Sequence, residues 1–478
     1  MNYKFIKCII GWILIFEACF MVLPLAVALI YREKEGVWFV VSMAICAAIG
    51  GLCILKKPER KSIFAKDSLV AVALSWIVLS LFGALPFVFS GSIPSYIDAL
   101  FEMISGFTTT GASILSDVES LPRCMLFWRS FSHWIGGMGV LVFVMAILPL
   151  AGGNNMYLMK AESPGPSVSK LVPKVRQTAM ILYGIYIFLT LLQIVLLLIG
   201  RMPVFDAICT AFGTAGTGGF GIKNTSLSGY SSYIQIVTTV FMIAFGINFN
   251  VYFLILMKKY SQAFRSSEVK VYLSVILVSI LLIVWDTRVM FGSLADGFKH
   301  VSFQVASIIT TTGFSTVDFN MWPEFSKTVL LALLMMGACA GSTGGGIKVS
   351  RIIILVKYVL REFQTLVHPR SVKKVSVDGR MVEHEVVRST NVFLIVYVLL
   401  FAISLLIVSL NEYDFTTNFT AVATTIGNVG PGFSNVGPAS NFSFFSPLSK
   451  CVLMFDMLAG RLELFPMLIM LLPSTWKK

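Results

Sequence analysis

The chain has 478 residues, of which 56% are hydrophobic and 13% are charged, and its mean hydropathy is +0.84. A soluble globular domain carries about 25% charged residues, so this composition excludes an ordinary soluble protein. The net charge of +13 reflects Lys and Arg that cluster in a few loops, a pattern typical of membrane topology and not of nucleic-acid binding. Apolar runs of roughly 20 residues, long enough to span a bilayer as helices, recur along the sequence. The sequence therefore predicts an all-α polytopic membrane protein.

Residues 1–66 are predicted to contain two transmembrane helices. The first apolar run extends from about Cys8 to Ile30 and the second from about Val37 to Leu55. The first run is longer than the apolar part of a signal peptide and has no A-x-A-like cleavage site after it. A basic loop follows the second run: Lys56, Lys57, Arg60, Lys61 and Lys66. Basic loops stay in the cytoplasm, which predicts a cytoplasmic N-terminus.

The rest of the chain is predicted to contain four copies of one unit, at residues 67–150, 176–258, 270–361 and 388–473. Each copy has a long apolar helix, a short apolar segment, a turn with glycine, and a second long helix. The turns read TTTGAS, AGTGGFG, TTTGFST and GNVGPGF, and they return at intervals of about a hundred residues. The second long helices are expected at about 124–148, 232–257, 326–359 and 447–472.

The short apolar segments are predicted to be re-entrant half-helices, because runs of about 10 to 14 residues cannot cross a bilayer. Non-helical backbone at membrane depth is tolerated only inside protein or beside a water-filled cavity, so the four turns should share one cavity. Since the basic loops between units are assigned to the cytoplasm, the turns should face outward. Acidic residues on that side would concentrate cations near the cavity: Asp98, Glu102, Asp117, Glu119, Asp206, Asp296, Asp318, Glu324, Glu412 and Asp414.

The repeated glycine predicts an ion filter. A cation that loses its water needs oxygen ligands, and backbone carbonyls supply them without a net charge. Glycine tolerates the backbone angles that direct successive carbonyls into a pore. A neutral oxygen set favours a monovalent cation, because divalent sites recruit carboxylates. Aligning the turns predicts these filter residues: Thr110 with Gly111, Thr217 with Gly218, Thr312 with Gly313, and Val429 with Gly430.

A second glycine-rich stretch, residues 337–348 (GACAGSTGGGIK), interrupts the second helix of the third unit. Glycines and small polar residues do not hold a straight helix at membrane depth. A helix-packing face of small residues is the alternative interpretation, but three successive glycines argue against it.

Arg461 lies in the final span together with Asp456 and Glu463. Charges inside a span face a cavity or a partner, so Arg461 either faces the pore or forms a structural salt bridge. In the first unit, Arg129 and His133 share a helix face. Arg129 is either a snorkelling residue near the outer end of its helix or a partner for a buried acid such as Glu102, and the sequence leaves both open.

These motifs resemble the Trk/Ktr/HKT superfamily of potassium transporters, most closely its bacterial TrkH membrane subunits, over essentially the whole chain. The resemblance implies four non-identical helix–pore loop–helix repeats around a pseudo-fourfold pore, plus two extra N-terminal helices. It implies K⁺ bound at the filter residues, and Gly111 favours potassium because some sodium-transporting relatives have serine there. The stretch 337–348 resembles the family's intramembrane gate loop, and Arg461 matches a pore-facing arginine. The gate residues would be Gly341, Ser342, Thr343, Gly344, Gly345, Gly346, Lys348 and Arg461.

The resemblance also implies a homodimer in the bacterial cytoplasmic (inner) membrane, with both termini in the cytoplasm. A cytosolic nucleotide-binding regulatory subunit of the TrkA type is the implied partner, and no covalent cofactor is expected. The basic loops could bind an acidic partner or anionic lipid headgroups. The eight cysteines show no C-x-x-C pair and are read as small buried hydrophobes, not metal ligands.

Three functions can be considered for a membrane protein of this composition. The first is channel-like potassium uptake driven by the membrane potential. The second is potassium transport coupled to Na⁺ or H⁺, which is weakened because the sequence offers no obvious deeply placed carboxylate as a coupling site. The third is a membrane enzyme. The four histidines are scattered, and no G-x-x-x-x-G-K-[ST], H-E-x-x-H or G-x-S-x-G motif occurs, so an enzyme is not expected.

Overall fold

The computed structural model describes residues 1–55, 65–139, 175–369 and 374–476. Most of the basic loop at 56–66, the end of the first unit and most of the basic loop at 152–176 lie outside these ranges. The regular secondary structure in these ranges is helical except for one antiparallel strand pair, Ser376–Val377 with Arg380–Met381. Its two-residue turn is Asp378-Gly379, both with positive φ, the residue pair that such hairpins prefer. This hairpin is a small addition to the all-α prediction.

The N-terminal region forms the two predicted spans. The first consists of two helices, Tyr3–Phe20 and Val22–Tyr31, and the second is Gly36–Ile54. Pro24 falls in the first turn of Val22–Tyr31, where its missing N–H leaves a hydrogen bond of the preceding turn unmade. Both spans pack near the first unit.

Each of the four units begins with a long apolar helix. These helices are Ala65–Gly83 (continued by Leu85–Phe89), Val175–Ile199, Ser267–Asp286 and His384–Val408. Among the described residues, six spans are long and apolar enough to cross a membrane, or seven if one bent helix pair is counted. Large apolar side chains on these helices face outward, for example Phe188 (63% exposed) and Leu406 (73% exposed). Such exposure fits a lipid-covered surface.

A short helix follows in every unit, and we number these pore helices 1 to 4: Tyr96–Phe107, Val204–Ala215, Leu294–Ile309 and Phe415–Gly427. They contain 12 to 16 residues, too few to cross a bilayer. Ser95, Ser293 and Asp414 cap three of them by accepting hydrogen bonds from the first turn. The C-terminal end of each pore helix leads directly into a glycine-containing turn.

The second long helix of every unit ends after 13 to 15 residues: Arg123–Gly137, Ser232–Phe245, Glu324–Met336 and Pro447–Arg461. Later segments follow as Phe249–Leu256, Val349–Val367 and Phe465–Leu471. The sequence predicts a break only in the third unit. The prediction of unbroken second helices in the second and fourth units is wrong. Gly246 to Asn248 form a 90° bend in the second unit, and Glu463 and Leu464 adopt positive φ in the fourth.

The remaining elements are short. Tyr260–Phe264 precedes the third unit, and Pro473–Trp476 ends the described chain. Three single 3₁₀ turns, Phe319–Met321, Ser409–Asn411 and Ser434–Val436, lie in the loops on the side of the glycine turns.

Candidate functional site

The four glycine turns, which we call filter loops 1 to 4, share one backbone conformation. In each loop a first residue has positive φ, and a glycine two positions later has positive φ again. The first residues are Thr109, Thr217, Thr311 and Asn428, with φ of 57°, 54°, 59° and 53°. The glycines are Gly111, Gly219, Gly313 and Gly430, with φ of 80°, 76°, 85° and 92°.

Hydrogen bonds give the same register. The residue between these two positions donates its N–H to a carbonyl five residues earlier, in the last turn of its pore helix. The four donors are Thr110, Gly218, Thr312 and Val429, with N···O distances of 2.9, 2.8, 2.8 and 2.9 Å. Four loops with different sequences therefore close the end of the pore helix in the same way.

This register corrects the sequence alignment of filter loop 2 by one residue. Gly219 occupies the position of Gly111, Gly313 and Gly430, whereas Gly218 occupies the position of Thr110. Thr217 likewise corresponds to Thr109 and not to Thr110. The alignment on the Thr-Gly dipeptide was misleading, because loop 2 contains two successive glycines. Aligning Gly219-Phe220 with Gly313-Phe314 would have given the register seen here.

The loops close into a ring through one contact that occurs four times. A methyl group placed on the positive-φ glycine of each loop would collide with a carbonyl oxygen of the next loop. The added methyl carbon would lie 2.0 Å from Gly218 O when placed on Gly111 and 1.8 Å from Thr312 O when placed on Gly219. It would lie 2.5 Å from Val429 O on Gly313 and 2.7 Å from Thr110 O on Gly430. The last contact returns to loop 1, so the order around the ring is 1–2–3–4. Only glycine fits at these positions.

A cavity of about 170 Å³ lies beside the ring and is lined by its four positive-φ glycines. Its charged lining consists of Arg129 and Lys223, and no carboxylate is among the lining residues within the described chain. Two of the expected acids lie at its edge, because Asn224, which lines the cavity, donates to Asp117 Oδ1 at 2.8 Å and to Glu119 Oε1 at 3.0 Å. Two other expected acids form ion pairs: Asp98 lies 2.6 Å from Lys450, and Glu102 is bound to Arg129, which lines the cavity.

Arg129 and Glu102 form a buried ion pair behind the filter loops. Their closest atoms are 2.7 Å apart, and the side chains are 2% and 0% exposed. Glu102 also accepts hydrogen bonds from Ser113 Oγ and Ile114 N, both just after filter loop 1. Arg129 Nη1 donates to Gly221 O, just after filter loop 2, at 3.2 Å. Of the two interpretations of Arg129, the structure supports the partner of a buried acid.

His133, one helical turn further along, also joins the first two units. Its Nε2 accepts a hydrogen bond from Phe220 N at 3.2 Å, so the proton lies on Nδ1, which donates to Gly106 O at 2.7 Å. The ring packs directly against Gly218, where a methyl group would lie 2.3 Å from its atoms. Position 218 therefore needs a glycine because the His133 ring lies against it. Position 219 needs a glycine because of its positive φ and the nearby Thr312 carbonyl.

Residues 337–348, which we call the gate loop, run between the two helices of the third unit. Gly337, Gly341, Gly346 and Lys348 have positive φ, which explains the glycine content. One side of the loop binds the bend of the second unit. Cys339 N donates to Gly246 O at 3.1 Å, and Phe249 N donates to Gly341 O at 2.9 Å. The break in the third helix is thus held by the break in the second.

The other side of the gate loop lies against the filter. Gly345 N donates to Thr311 Oγ1 at 2.7 Å. Methyl groups on Gly344 and Gly345 would lie 2.9 Å from Thr310 O and 2.4 Å from Gly427 O, at the ends of pore helices 3 and 4.

The polar side chains of the gate loop bind its own backbone or that of the second unit. Ser342 Oγ donates to Cys339 O at 2.6 Å, Thr343 Oγ1 donates to Phe245 O at 3.3 Å, and Lys348 Nζ donates to Gly344 O. Seven of the eight predicted gate residues lie in this loop. The eighth, Arg461, contacts the loop from the fourth unit.

Arg461 connects the gate loop to the first unit. Its guanidinium donates to Thr343 O at 2.8 Å, to Gly137 O at 2.9 Å, to Gly136 O, and to Thr109 Oγ1 at 3.3 Å. The two neighbouring acids have other partners: Glu463 pairs with Arg351, and Asp456 accepts from Ser404 Oγ at 2.8 Å.

Glu268 is a gate contact that the sequence analysis missed. This side chain, 8% exposed, lies in the first turn of Ser267–Asp286. Its Oε1 accepts a hydrogen bond from Ala340 N in the gate loop at 2.6 Å, and its Oε2 accepts from Asn248 Nδ2 at 3.4 Å. An acid at the start of an apolar span usually caps the helix, so sequence alone does not distinguish this one.

Comparisons with known proteins identify the family of the chain. The model of the TrkH family, described as a cation transport protein, matches residues 36–477. The Trk system potassium uptake protein TrkH of Salmonella typhimurium is 36% identical, with all of both chains covered. TrkG of Escherichia coli is 34% identical over 96% of this chain and 95% of its own. The crystal structure of the potassium transporter TrkH from Vibrio parahaemolyticus superposes with a TM-score of 0.89 at 33% identity, and covers both chains fully.

These matches extend over the whole chain and confirm the resemblance drawn from the filter motifs. They also agree with the prediction of a transport protein and not an enzyme. The chain belongs to the TrkH family of cation transport proteins.

Proposed function

We propose that the chain takes up potassium across a bacterial cytoplasmic membrane through a filter formed by filter loops 1 to 4. The observation that carries this proposal is the fourfold contact of glycine with carbonyl, which arranges four equivalent loops in a closed ring. Similar proteins are named as Trk system potassium uptake proteins, which supports potassium as the transported ion.

The filter would bind K⁺ through backbone carbonyl oxygens that replace its water. The residues are the predicted ones with the corrected register: Thr110 and Gly111, Gly218 and Gly219 with Thr217 before them, Thr312 and Gly313, and Val429 and Gly430. Each pore helix directs its C-terminal end, with a partial negative charge, toward the ring. The ligands are neutral and the helix charges are fractional, so a monovalent ion can enter and leave.

The gate loop would block the path beneath the filter in the conformation seen here. It is held by the bend at Gly246, by Thr311 and by Arg461. Arg461 adds a fixed positive charge close to the filter, which opposes cation passage while the loop is closed. Opening requires that these contacts release together.

The membrane potential would drive uptake, at about 2.3 kcal/mol per charge per 100 mV. Coupling to H⁺ or Na⁺ is the second candidate, and one observation favours it. Neither carboxylate oxygen of Glu17 has a hydrogen-bond partner among the described residues, and Asp456 Oδ2 has none there either. Both side chains are 0% exposed. Buried carboxylates without a cation are candidates for proton binding.

The assembly and topology are proposed from the family resemblance. We infer a homodimer, a lipid-covered outer surface, cytoplasmic termini and a cytosolic nucleotide-binding subunit of the TrkA type. The hairpin at Ser376–Met381 contains Arg380, and Lys357 Nζ donates to its Ser376 O at 2.7 Å, so the hairpin and these basic residues form one candidate docking region.

A liposome flux assay tests this function. The wild-type chain is reconstituted alone, and uptake of K⁺, Rb⁺ and Na⁺ is followed at a fixed potential, with and without gradients of Na⁺ and pH. Saturable uptake that prefers K⁺ and Rb⁺ and needs no second gradient supports the channel-like function. Potassium uptake that requires a Na⁺ or pH gradient, and that is lost in Asp456→Asn or Glu17→Gln, supports coupling instead.

A further inference from the structure

Filter loop 3 and the gate loop are joined by one hydrogen bond between a side chain and the backbone. Gly345 N donates to Thr311 Oγ1 at 2.7 Å, and both residues are buried. A buried N–H that loses its acceptor is costly, because no water replaces the bond. The bond therefore favours the conformation in which the gate loop lies against this filter loop.

The backbone at Thr311 suits a switch of this kind. Its φ of 59° places a β-branched residue in the left-handed region, which such residues rarely adopt. Such a conformation persists only where the surroundings hold it. Thr217 keeps a φ of 54° without a gate contact, so the hydrogen bond from Gly345 does not set this conformation. It adds a restraint on filter loop 3 that is lost when the bond breaks.

The equivalent threonines show that only some of the filter loops contact the gate. Thr109 Oγ1, in filter loop 1, accepts from Arg461 at 3.3 Å and so also faces a gate element. Thr217 Oγ1, in filter loop 2, donates to Gly216 O at 2.6 Å within its own loop. The same residue type at the same backbone position thus binds the gate in loops 1 and 3 and its own loop in loop 2.

We propose that Thr311 is a positioning residue that couples the gate loop to the filter. When the gate loop moves away, Gly345 leaves and filter loop 3 loses a restraint. The coupling is reciprocal, so an ion that stabilises the filter also stabilises the closed gate. This inference rests on the proposed gate. The ion in the filter then favours the closed gate, and the Thr311 hydroxyl transmits this effect from the filter to the gate loop.

Cys339 is a natural reporter for the gate. It lies in the gate loop, is 0% exposed, and has a free thiol. Its rate of alkylation by N-ethylmaleimide, followed by peptide mass spectrometry, reports how often the loop opens and separates this thiol from the other cysteines. The full-length chain is reconstituted in lipid nanodiscs and alkylated in K⁺ and in Na⁺, as the wild type and as Thr311→Val, Thr311→Ser and Thr217→Val.

We expect wild-type Cys339 to react more slowly in K⁺ than in Na⁺. Thr311→Val should raise the rate by about tenfold, the effect of one lost buried hydrogen bond, and should remove the difference between the cations. Thr311→Ser keeps the hydroxyl and should retain the difference. Thr217→Val removes a hydroxyl at the same loop position without touching the gate, so whatever it does to flux, it should leave Cys339 alkylation at the wild-type rate.

Two results would overturn the proposal: equal wild-type rates in K⁺ and Na⁺, or the same change in Thr217→Val as in Thr311→Val. Arg461→Ala in the same assay distinguishes a failure of the coupling proposal from a failure of the gate assignment. If Arg461→Ala speeds alkylation and Thr311→Val does not, the coupling is wrong and the gate stands. If neither speeds it, the gate assignment is wrong. The wild-type comparison of the two cations tests the coupling even if Thr311→Val does not fold.

Discussion

Arg129 and Glu102 lie 2.7 Å apart behind the filter, and together they fasten the segments that follow filter loops 1 and 2. Removing one member of a buried ion pair leaves the other charge without compensation. We expect Arg129→Gln to lower the free energy of unfolding by about 3–5 kcal/mol. An equilibrium denaturant titration of the purified protein checks this value.

Two further variants test whether the Arg129–Glu102 ion pair causes this loss of stability. Arg123→Gln changes an exposed arginine at the start of the same helix, whose guanidinium lies 4.2 Å from the centre of the Tyr31 ring, and should cost only about 0.5–1 kcal/mol. The double variant Arg129→Met with Glu102→Met removes both charges and should recover much of the lost stability. If Arg129→Gln is as stable as Arg123→Gln, the ion pair does not support the filter loops.

Gly219 and Gly218 are both sensitive to a methyl group, but for different reasons. Gly219 has positive φ and faces the backbone carbonyl of Thr312, whereas Gly218 faces the ring of His133. We expect either alanine substitution to reduce potassium uptake at least tenfold. Adding His133→Ala should partly relieve Gly218→Ala, because the obstructing ring is gone, and should not relieve Gly219→Ala.

Uptake of the two double variants, each compared with its single variants, measures this difference. Gly229→Ala is the control, since a methyl group there meets no atom within 4 Å. Relief of Gly219→Ala by His133→Ala would contradict the corrected register of filter loop 2.

Arg461 holds the gate loop through the carbonyl oxygen of Thr343. Loss of one charged hydrogen bond costs about 1.5–3 kcal/mol, so Arg461→Ala should raise potassium flux by about 10- to 100-fold while selectivity stays close to wild type. Liposome flux of K⁺ and Na⁺ checks both quantities. Arg288→Ala, at an exposed arginine, is the control. Reduced flux in folded Arg461→Ala would mean that the arginine assists conduction and does not oppose it.

Glu268 holds the gate loop from the opposite side, through Ala340 N. Glu268→Gln keeps an oxygen acceptor and should behave nearly as wild type. Glu268→Ala removes the acceptor and should raise flux by about 5- to 10-fold, the effect of one lost hydrogen bond. Glu385→Ala is a matched control, because Glu385 is an exposed acid in the first turn of another long span. Equal flux in Glu268→Ala and Glu385→Ala would remove Glu268 from the gate.

The spans, the pore helices and the glycine turns could be predicted because composition and apolar length alone determine them. The register of filter loop 2 could not, because Gly218 and Gly219 are adjacent and only backbone angles and the next loop's carbonyls tell them apart. The break near Gly246 was also missed. A single glycine in an apolar run does not break a helix by itself, and this bend is stabilised by the gate loop, which is distant in sequence.

The polar partner of a side chain could be predicted only where a charged residue lies inside a membrane span, because such a charge needs a partner. Arg129 required an acid, and Glu102 was among the candidates. Arg461 required polar neighbours, but the carbonyl oxygens that it binds at Gly136, Gly137 and Thr343 are exposed by breaks in other helices. Backbone acceptors of this kind have no signature in the sequence.

The ring of four glycines is proposed to select potassium, and a reversal potential tests this selectivity most directly. The reconstituted chain is placed between K⁺ on one side and Na⁺ on the other, as the wild type and as Gly313→Ser. A side chain at Gly313 would meet Val429 O and would strain a residue with φ of 85°. We predict a wild-type reversal potential close to that of potassium and a shift toward zero in folded Gly313→Ser. An unchanged potential in that variant would contradict the filter.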